Sequence, residues 1–169
     1  LQVPDEDEQA KMFTYGARFL EERGYLQYEI SNFAKIGFMS RHNQGYWLGR
    51  EYLGLGPSAV STIGNKRWEN PKSIDDYVYA VQTNGIAKNA TELTTTDRAK
   101  ELIMLGLRTS AGFSLKEYKT LTGHDFTETR KPLIQALRQN ELIRISKDRL
   151  RLSRNGMLVS NTIIERLLG

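Results

Sequence analysis

Between Thr96 and Gly169 the apolar residues follow two different spacings in turn, and few architectures accept that order. Ala99, Leu102, Ile103, Leu105 and Leu107 recur at the spacing of a helix that starts after the cap candidate Thr96 and breaks at Ser110-Ala111-Gly112. A short helix over 114–121 ends at Gly123, and a third over 127–139 carries Leu133, Ile134 and Leu137 on one face. Pro132 predicts that this third helix starts late or bends, because proline has no amide hydrogen and its ring crowds the preceding turn. The spacing then changes to two: Leu142-Ile143-Arg144-Ile145 and Leu150-Arg151-Leu152 alternate on either side of Lys147-Asp148, the pattern of a hairpin. A closing amphipathic helix is predicted over 155–168.

Three helices, a hairpin and a final helix resemble a winged helix. Residues 1–90 have another rhythm. A helix is predicted over 10–23, ended by Gly24, and the β-prone run Tyr25-Leu26-Gln27-Tyr28-Glu29-Ile30 follows it directly, as in one repeat of an α/β unit. The polar, glycine-dotted stretch from Ser31 to Arg50 is too irregular for a regular element and reads as a long ordered loop or as function. A short strand leading into a tight loop is expected over 51–59, a turn at Trp68-Glu69-Asn70-Pro71, and a helix over 74–84 capped by Ser73 and closed by Gly85. The polar, threonine-rich run 89–96 marks the expected boundary between domains 1–90 and 91–169. The fold class expected is α/β in the α+β sense.

Composition removes several classes of chemistry. The chain has 169 residues and no cysteine, so it forms no disulfide, no thiolate zinc site and no iron–sulfur cluster on its own thiolates. His42 and His124 are its two imidazoles, a poor basis for a metal site of imidazoles alone; His124 follows Gly123 in a turn and is assigned no role. No apolar run reaches the roughly 20 residues that cross a bilayer, and the acidic start Pro4-Asp5-Glu6-Asp7-Glu8 is unlike a signal peptide, so a soluble, cytoplasmic protein is expected. The net charge of +4 lies in the second half: residues 1–90 hold 10 Lys/Arg against 11 Asp/Glu, and residues 91–169 hold 14 against 9. Dispersed charge of this kind is ordinarily a solvated face. Arg130, Lys131 and Arg138 on the third helix nonetheless keep a nucleic-acid reading open as a third alternative.

Three stretches carry the chemistry: Tyr28-Glu29-Ile30-Ser31-Asn32-Phe33-Ala34-Lys35, then Ser40-Arg41-His42-Asn43-Gln44-Gly45-Tyr46-Trp47, then Tyr52-Leu53-Gly54-Leu55-Gly56-Pro57-Ser58-Ala59. In this order and spacing they resemble the oxygen-independent coproporphyrinogen III oxidase family of radical S-adenosylmethionine proteins, and His42 to Trp47 matches the H-N-x-x-Y-W pattern of its haem-chaperone branch. Arg67-Trp68-Glu69-Asn70, the segment Glu101 to Thr109 with Gly112, and the segment Leu152 to Asn161 extend the likeness over essentially the whole chain.

The resemblance implies the C-terminal helix–strand repeats of a partial (β/α) radical S-adenosylmethionine barrel over 1–90, carrying a haem-binding loop, and a winged-helix-like domain over 91–169. It implies that S-adenosylmethionine and a 4Fe–4S cluster belong to the intact protein. The family's C-x-x-x-C-x-x-C motif is absent here, so the chain is expected to be a piece of a longer protein or a truncated paralogue, with no catalytic residue of its own. By resemblance His42 is the candidate ligand of haem iron, Asn43 orients it, and Tyr46 and Trp47 line the haem contact. Gly54, Gly56 and Ala59, with Glu29, are placed near S-adenosylmethionine. Each has an ordinary alternative: a loop histidine with two core aromatics, a tight turn, a carboxylate paired with a nearby cation. The implied activity is binding haem and delivering it to acceptors such as respiratory enzymes. The alternative within the family is oxidative decarboxylation of coproporphyrinogen III.

Overall fold

The structure, a computed structural model, describes residues 3–169. Helix α1 (Glu6–Glu21) starts earlier than the apolar spacing indicates, because Asp5 and Glu8 close a capping box: the Asp5 carboxylate accepts the Glu8 N–H at 2.8 Å and the Glu8 carboxylate accepts that of Asp5 at 3.3 Å. Strand β1 (Leu26–Gln27) pairs antiparallel with β2 (Phe33–Ala34), with Leu26 opposite Ala34. The run 25–30 is therefore not one strand of a parallel repeat. It folds back at Ser31-Asn32, and Tyr28 to Ile30 leave β1 to meet a later part of the chain.

The stretch expected to lack regular structure contains a helix, α2 (Arg41–Trp47). Strands β3 (Val60–Ile63) and β4 (Lys66–Glu69) form a hairpin through Gly64, whose φ of +59° suits a residue without Cβ. Trp68 and Glu69 are thus strand rather than turn, and the strand expected over 51–59 is reduced to a single bridge between Tyr52 and Thr62. Ser73 caps α3 (Ile74–Gln82), its Oγ accepting the Asp76 N–H at 3.0 Å. Inside the threonine-rich run, β5 (Thr91–Glu92) joins the edge of β4.

Helix α4 (Thr95–Leu107) is capped by Thr94 instead of Thr96, since the acidic partner of a capping box must stand three residues on and Asp97 does so from Thr94. The Thr94 hydroxyl, then its amide, hydrogen-bond the Asp97 carboxylate and hold its pKa below the ordinary 3.8. Then follow β6 (Phe113–Ser114), α5 (Leu115–Thr122), α6 (Phe126–Thr129), α7 (Lys131–Gln139), β7 (Ile143–Ser146), β8 (Arg149–Leu152), α8 (Arg154–Leu158) and α9 (Ser160–Leu168). Pro132 divides α6 from α7 and sits in the first turn of the latter, where its missing N–H costs nothing. The closing helix is broken at Val159, which the apolar spacing did not reveal. Strand order β6-β8-β7 with a β7–β8 hairpin is winged-helix topology.

Buried apolar residues of this second part form one cluster running from Ala99 to Leu167, centred on Ile103, Leu107, Phe113, Phe126, Leu150 and Leu167. Each such side chain contributes roughly 1.5–3 kcal/mol relative to exposure. The earlier part is different: among the described residues, apart from Leu158 and Val159, every large apolar side chain on the surface lies between Val3 and Val81, with Ile36, Phe38 and Leu55 all about 80% exposed. Several ties hold it to the second part, among them the following. Residues 28–30 pair with 108–110 (Ile30 N–H to Arg108 O and Ser110 N–H to Tyr28 O, both 3.0 Å), Glu101 accepts from both Arg67 and Arg98, and Arg154 pairs with Glu21.

The α+β class read from the sequence is what the structure shows. One tight joint of its core is Gly106 of α4, where an added Cβ would stand 2.5 Å from Phe113 Cβ. Gly106→Ala gains about 1 kcal/mol of helix propensity but forces α4 from β6, an overpacking cost of typically 1–3 kcal/mol. Urea unfolding is expected to show net destabilisation; a raised midpoint would contradict this packing. Thr94→Ala should bring the Asp97 pKa up toward 3.8 in an NMR titration. Because the folded-state value is depressed, the stabilisation from this cap is present above 3.8 and lost as pH falls through the lower value, and the variant should lack that acid-side loss.

Candidate functional site

Helix α2 presents the sequence motif on two faces. Ser40 Oγ accepts the Asn43 N–H at 3.2 Å and starts the helix. Its end is a Schellman arrangement: Gly49 (φ +63°) donates to Tyr46 O and Arg50 to Gly45 O, both at 3.0 Å. His42 and Tyr46, one turn apart, make an edge-on contact of 4.9 Å between ring centres, and Tyr46 continues edge-on to Tyr52 at 4.7 Å. These rings form the wall of a shallow groove of about 180 Å³ that also takes in Arg41, Arg50 and Glu51. His42 is exposed, so its ring nitrogens can reach a ligand.

Five positions on from His42, Trp47 comes round to the other side of the helix. It stands between a cavity of about 430 Å³, bounded by Arg98, Glu101, Leu105, Phe113 and Arg149, and one of about 260 Å³, bounded by Tyr28, Met39, Thr109 and Ser110. Its indole Nε1 is buried and, among the described residues, has no hydrogen-bond acceptor. Trp47 therefore fastens α2 to the winged-helix part and does not share the groove of His42 and Tyr46. Asn43 is half-buried between the two faces, and among the described residues its side chain makes no hydrogen bond that would orient His42.

The glycine loop is organised by a residue that sequence reading placed only as a landmark. Asn70, 2% exposed, donates through Nδ2 to Gly54 O at 3.0 Å and to Gly56 O at 2.9 Å. The Gly54 amide donates to Ser61 Oγ at 3.0 Å, the Gly56 amide to Tyr77 Oη at 3.1 Å, and Ala59 O accepts the Asn70 amide at 2.9 Å. Gly54 is required because a Cβ there would lie 2.2 Å from Val60 O, and Gly56 because its φ is +99°. These backbone groups of the loop are thus satisfied within the protein, while Asn70 Oδ1 is buried and, among the described residues, has no donor. A signal for Asn70 was present: it closes Arg67-Trp68-Glu69-Asn70, and a buried asparagine ending a strand usually bonds backbone. Glu29 lies apart from this loop, 2% exposed in the pairing with Thr109, with Oε1 accepting the Ser31 N–H at 3.1 Å. None of the cavities above counts Glu29, Gly54, Gly56 or Ala59 in its wall.

For a metal the donor set is poor. Among the described residues no group of three or more His, Asp or Glu is placed to hold an ion, and without cysteine the chain does not fit a 4Fe–4S cluster. A single exposed imidazole beside aromatic rings does fit one axial position of haem iron.

Residues 93–159 match the family model described as the HemN C-terminal domain. The chain carries a C-terminal domain of the HemN/HemW family. The "Heme chaperone HemW" of Bacillus subtilis is 32% identical over 100% of this chain and 45% of its own length. The "Radical S-adenosyl methionine domain-containing protein 1, mitochondrial" of Danio rerio is 28% identical over 99% of this chain and 40% of its own. The chain therefore spans under half the length of these HemN/HemW relatives. In fold it resembles the radical SAM enzyme coproporphyrinogen III oxidase (HemN) from Escherichia coli, with a TM-score of 0.72 at 18% identity over 97% of this chain and 42% of that one. Its short sheets and helices correspond to an unclosed part of a radical SAM barrel followed by the C-terminal helical region.

Asn70→Ala should release the glycine loop. Two half-buried carbonyls would lose their donor, at a cost of about 0.5–1.5 kcal/mol each. The expected readout is faster hydrogen exchange at the Gly54 and Gly56 amides with little change in α4; unchanged exchange would show that the loop is held by something else.

Proposed function

We propose that the protein to which this chain belongs is a haem chaperone of the HemN/HemW family, which binds haem at the outer face of α2 and hands it to acceptor proteins such as respiratory enzymes in the cytoplasm. The observation that carries this reading is the exposed His42, backed by Tyr46 and Tyr52, at the open groove of α2. Haem iron takes an imidazole nitrogen as an axial ligand. His42 supplies that nitrogen, and the tyrosine rings give an apolar edge with polar tips against a macrocycle. A groove of about 180 Å³ is smaller than the roughly 300–1,000 Å³ that enclose a drug-sized ligand, so a large cargo stays mostly outside it and free to leave.

Residues 1–90 are the last repeats of the radical SAM barrel in this reading, and 91–169 the winged-helix part that docks on them. The apolar surface between Val3 and Val81 supports this, since the remaining polypeptide of a protein twice this length would cover it. S-adenosylmethionine, placed near Glu29, Gly54, Gly56 and Ala59, and the cluster are held by the intact protein; no step is assigned to this chain through either.

A nucleic-acid role has less support. Arg130, between α6 and α7, donates to Leu167 O at 2.7 Å and lies 4.6 Å over the Phe126 ring, and Lys131 pairs with Glu128 at 3.4 Å. No helix of the described residues is long and apolar enough to cross a membrane.

Haem titrated into the intact protein should give a Soret band that His42→Ala weakens or shifts. Equal affinity and an unchanged band would refute the reading, and formation of protoporphyrinogen from coproporphyrinogen III would favour the oxidase instead.

A further inference from the structure

The groove of His42 is flanked by two cations that the fold leaves without partners. Arg41 begins α2 and Arg50 follows its end, yet both stand in the wall of the same groove. The reason lies in the C-terminal cap: the Arg50 N–H reaches back to Gly45 O at 3.0 Å, which returns the chain over the helix. The Arg50 side chain then runs across Gly45, its Cδ 3.9 Å from where a Cβ at that position would stand.

Among the described residues neither guanidinium has a carboxylate partner or a hydrogen-bond acceptor. The opposing charge in the wall is Glu51, whose Oε1 accepts the Gly64 N–H at 2.7 Å. From Ser31 to Arg50 the sequence holds Lys35, Arg41 and Arg50 and no acidic residue. A groove with two free, planar, always-charged donors in its wall beside aromatic rings is complementary to a flat apolar body that carries carboxylates.

We propose that Arg41 and Arg50 are specificity-determining residues that hold the two propionate carboxylates of the macrocycle while His42 meets its iron. This rests on the haem reading and deepens it: the groove discriminates by charge at the rim, and a macrocycle without free carboxylates is a poor ligand. Both arginines act on the ligand directly and neither takes part in bond making.

The test uses the intact protein, haem, and haem dimethyl ester, in which both carboxylates are masked. Wild type is expected to bind haem about tenfold more tightly than the diester, the combined size of two solvent-exposed charge pairs. The Arg41→Gln/Arg50→Gln double variant should lose about tenfold for haem and nothing for the diester, with the Soret position of bound haem unchanged because His42 is intact. If His42→Ala abolishes the Soret shift while the double variant binds haem as wild type does, the inference about the arginines is overturned and the haem reading stands. If the Soret band is indifferent to His42→Ala, the haem reading fails and this inference with it. Circular dichroism of the double variant controls for folding, and the helix cap is expected to survive because Arg50 contributes only its backbone to it.

Discussion

Two backbone hydrogen bonds, from Ile30 to Arg108 O and from Ser110 to Tyr28 O, govern where the first half of this protein sits. Residues 3–90 bury few apolar side chains among themselves, so they lack the driving force that fixes a domain from within. Position has to come from outside, and it comes from the winged-helix core through this short antiparallel pairing. The carboxylate of Glu101, shared by Arg67 and Arg98, fastens the β3–β4 hairpin to the same helix whose far end supplies Arg108. With α4 tied at its middle and at its C-terminal end, α2 rests against it through Trp47, which stands between two cavities.

The second half was legible in the sequence because its physics is local. Helices with an apolar face, a glycine after α5 and a two-residue alternation around Lys147-Asp148 each carry their own signal, and together they admit one topology. What escaped notice there was finer: the cap moved from Thr96 to Thr94 because Asp97 completes a box with the latter, and the break at Val159 leaves no trace in apolar spacing. In the first half the signals were weaker for a physical reason. Strands of two to four residues are too short to show an alternation, and β5 looks like any polar linker until β4 is beside it.

At the site, sequence resemblance grouped residues that geometry separates. His42 and Tyr46 face outward into one groove while Trp47 faces the winged-helix part, although the three stand within six positions. The glycines at 54 and 56 answer first to the loop that contains them, with Asn70 as its internal strut. Nothing in the order of residues reveals that Arg41 and Arg50 line one groove, because only the Schellman end brings position 50 back alongside position 45.

A helix of seven residues that is anchored by one side and open on the other separates two demands that usually conflict. Changes on the outward side alter the groove without loosening the joint, and changes around the indole alter the joint without touching the groove. Through α2, the outward surface can drift while the architecture beneath it stays still.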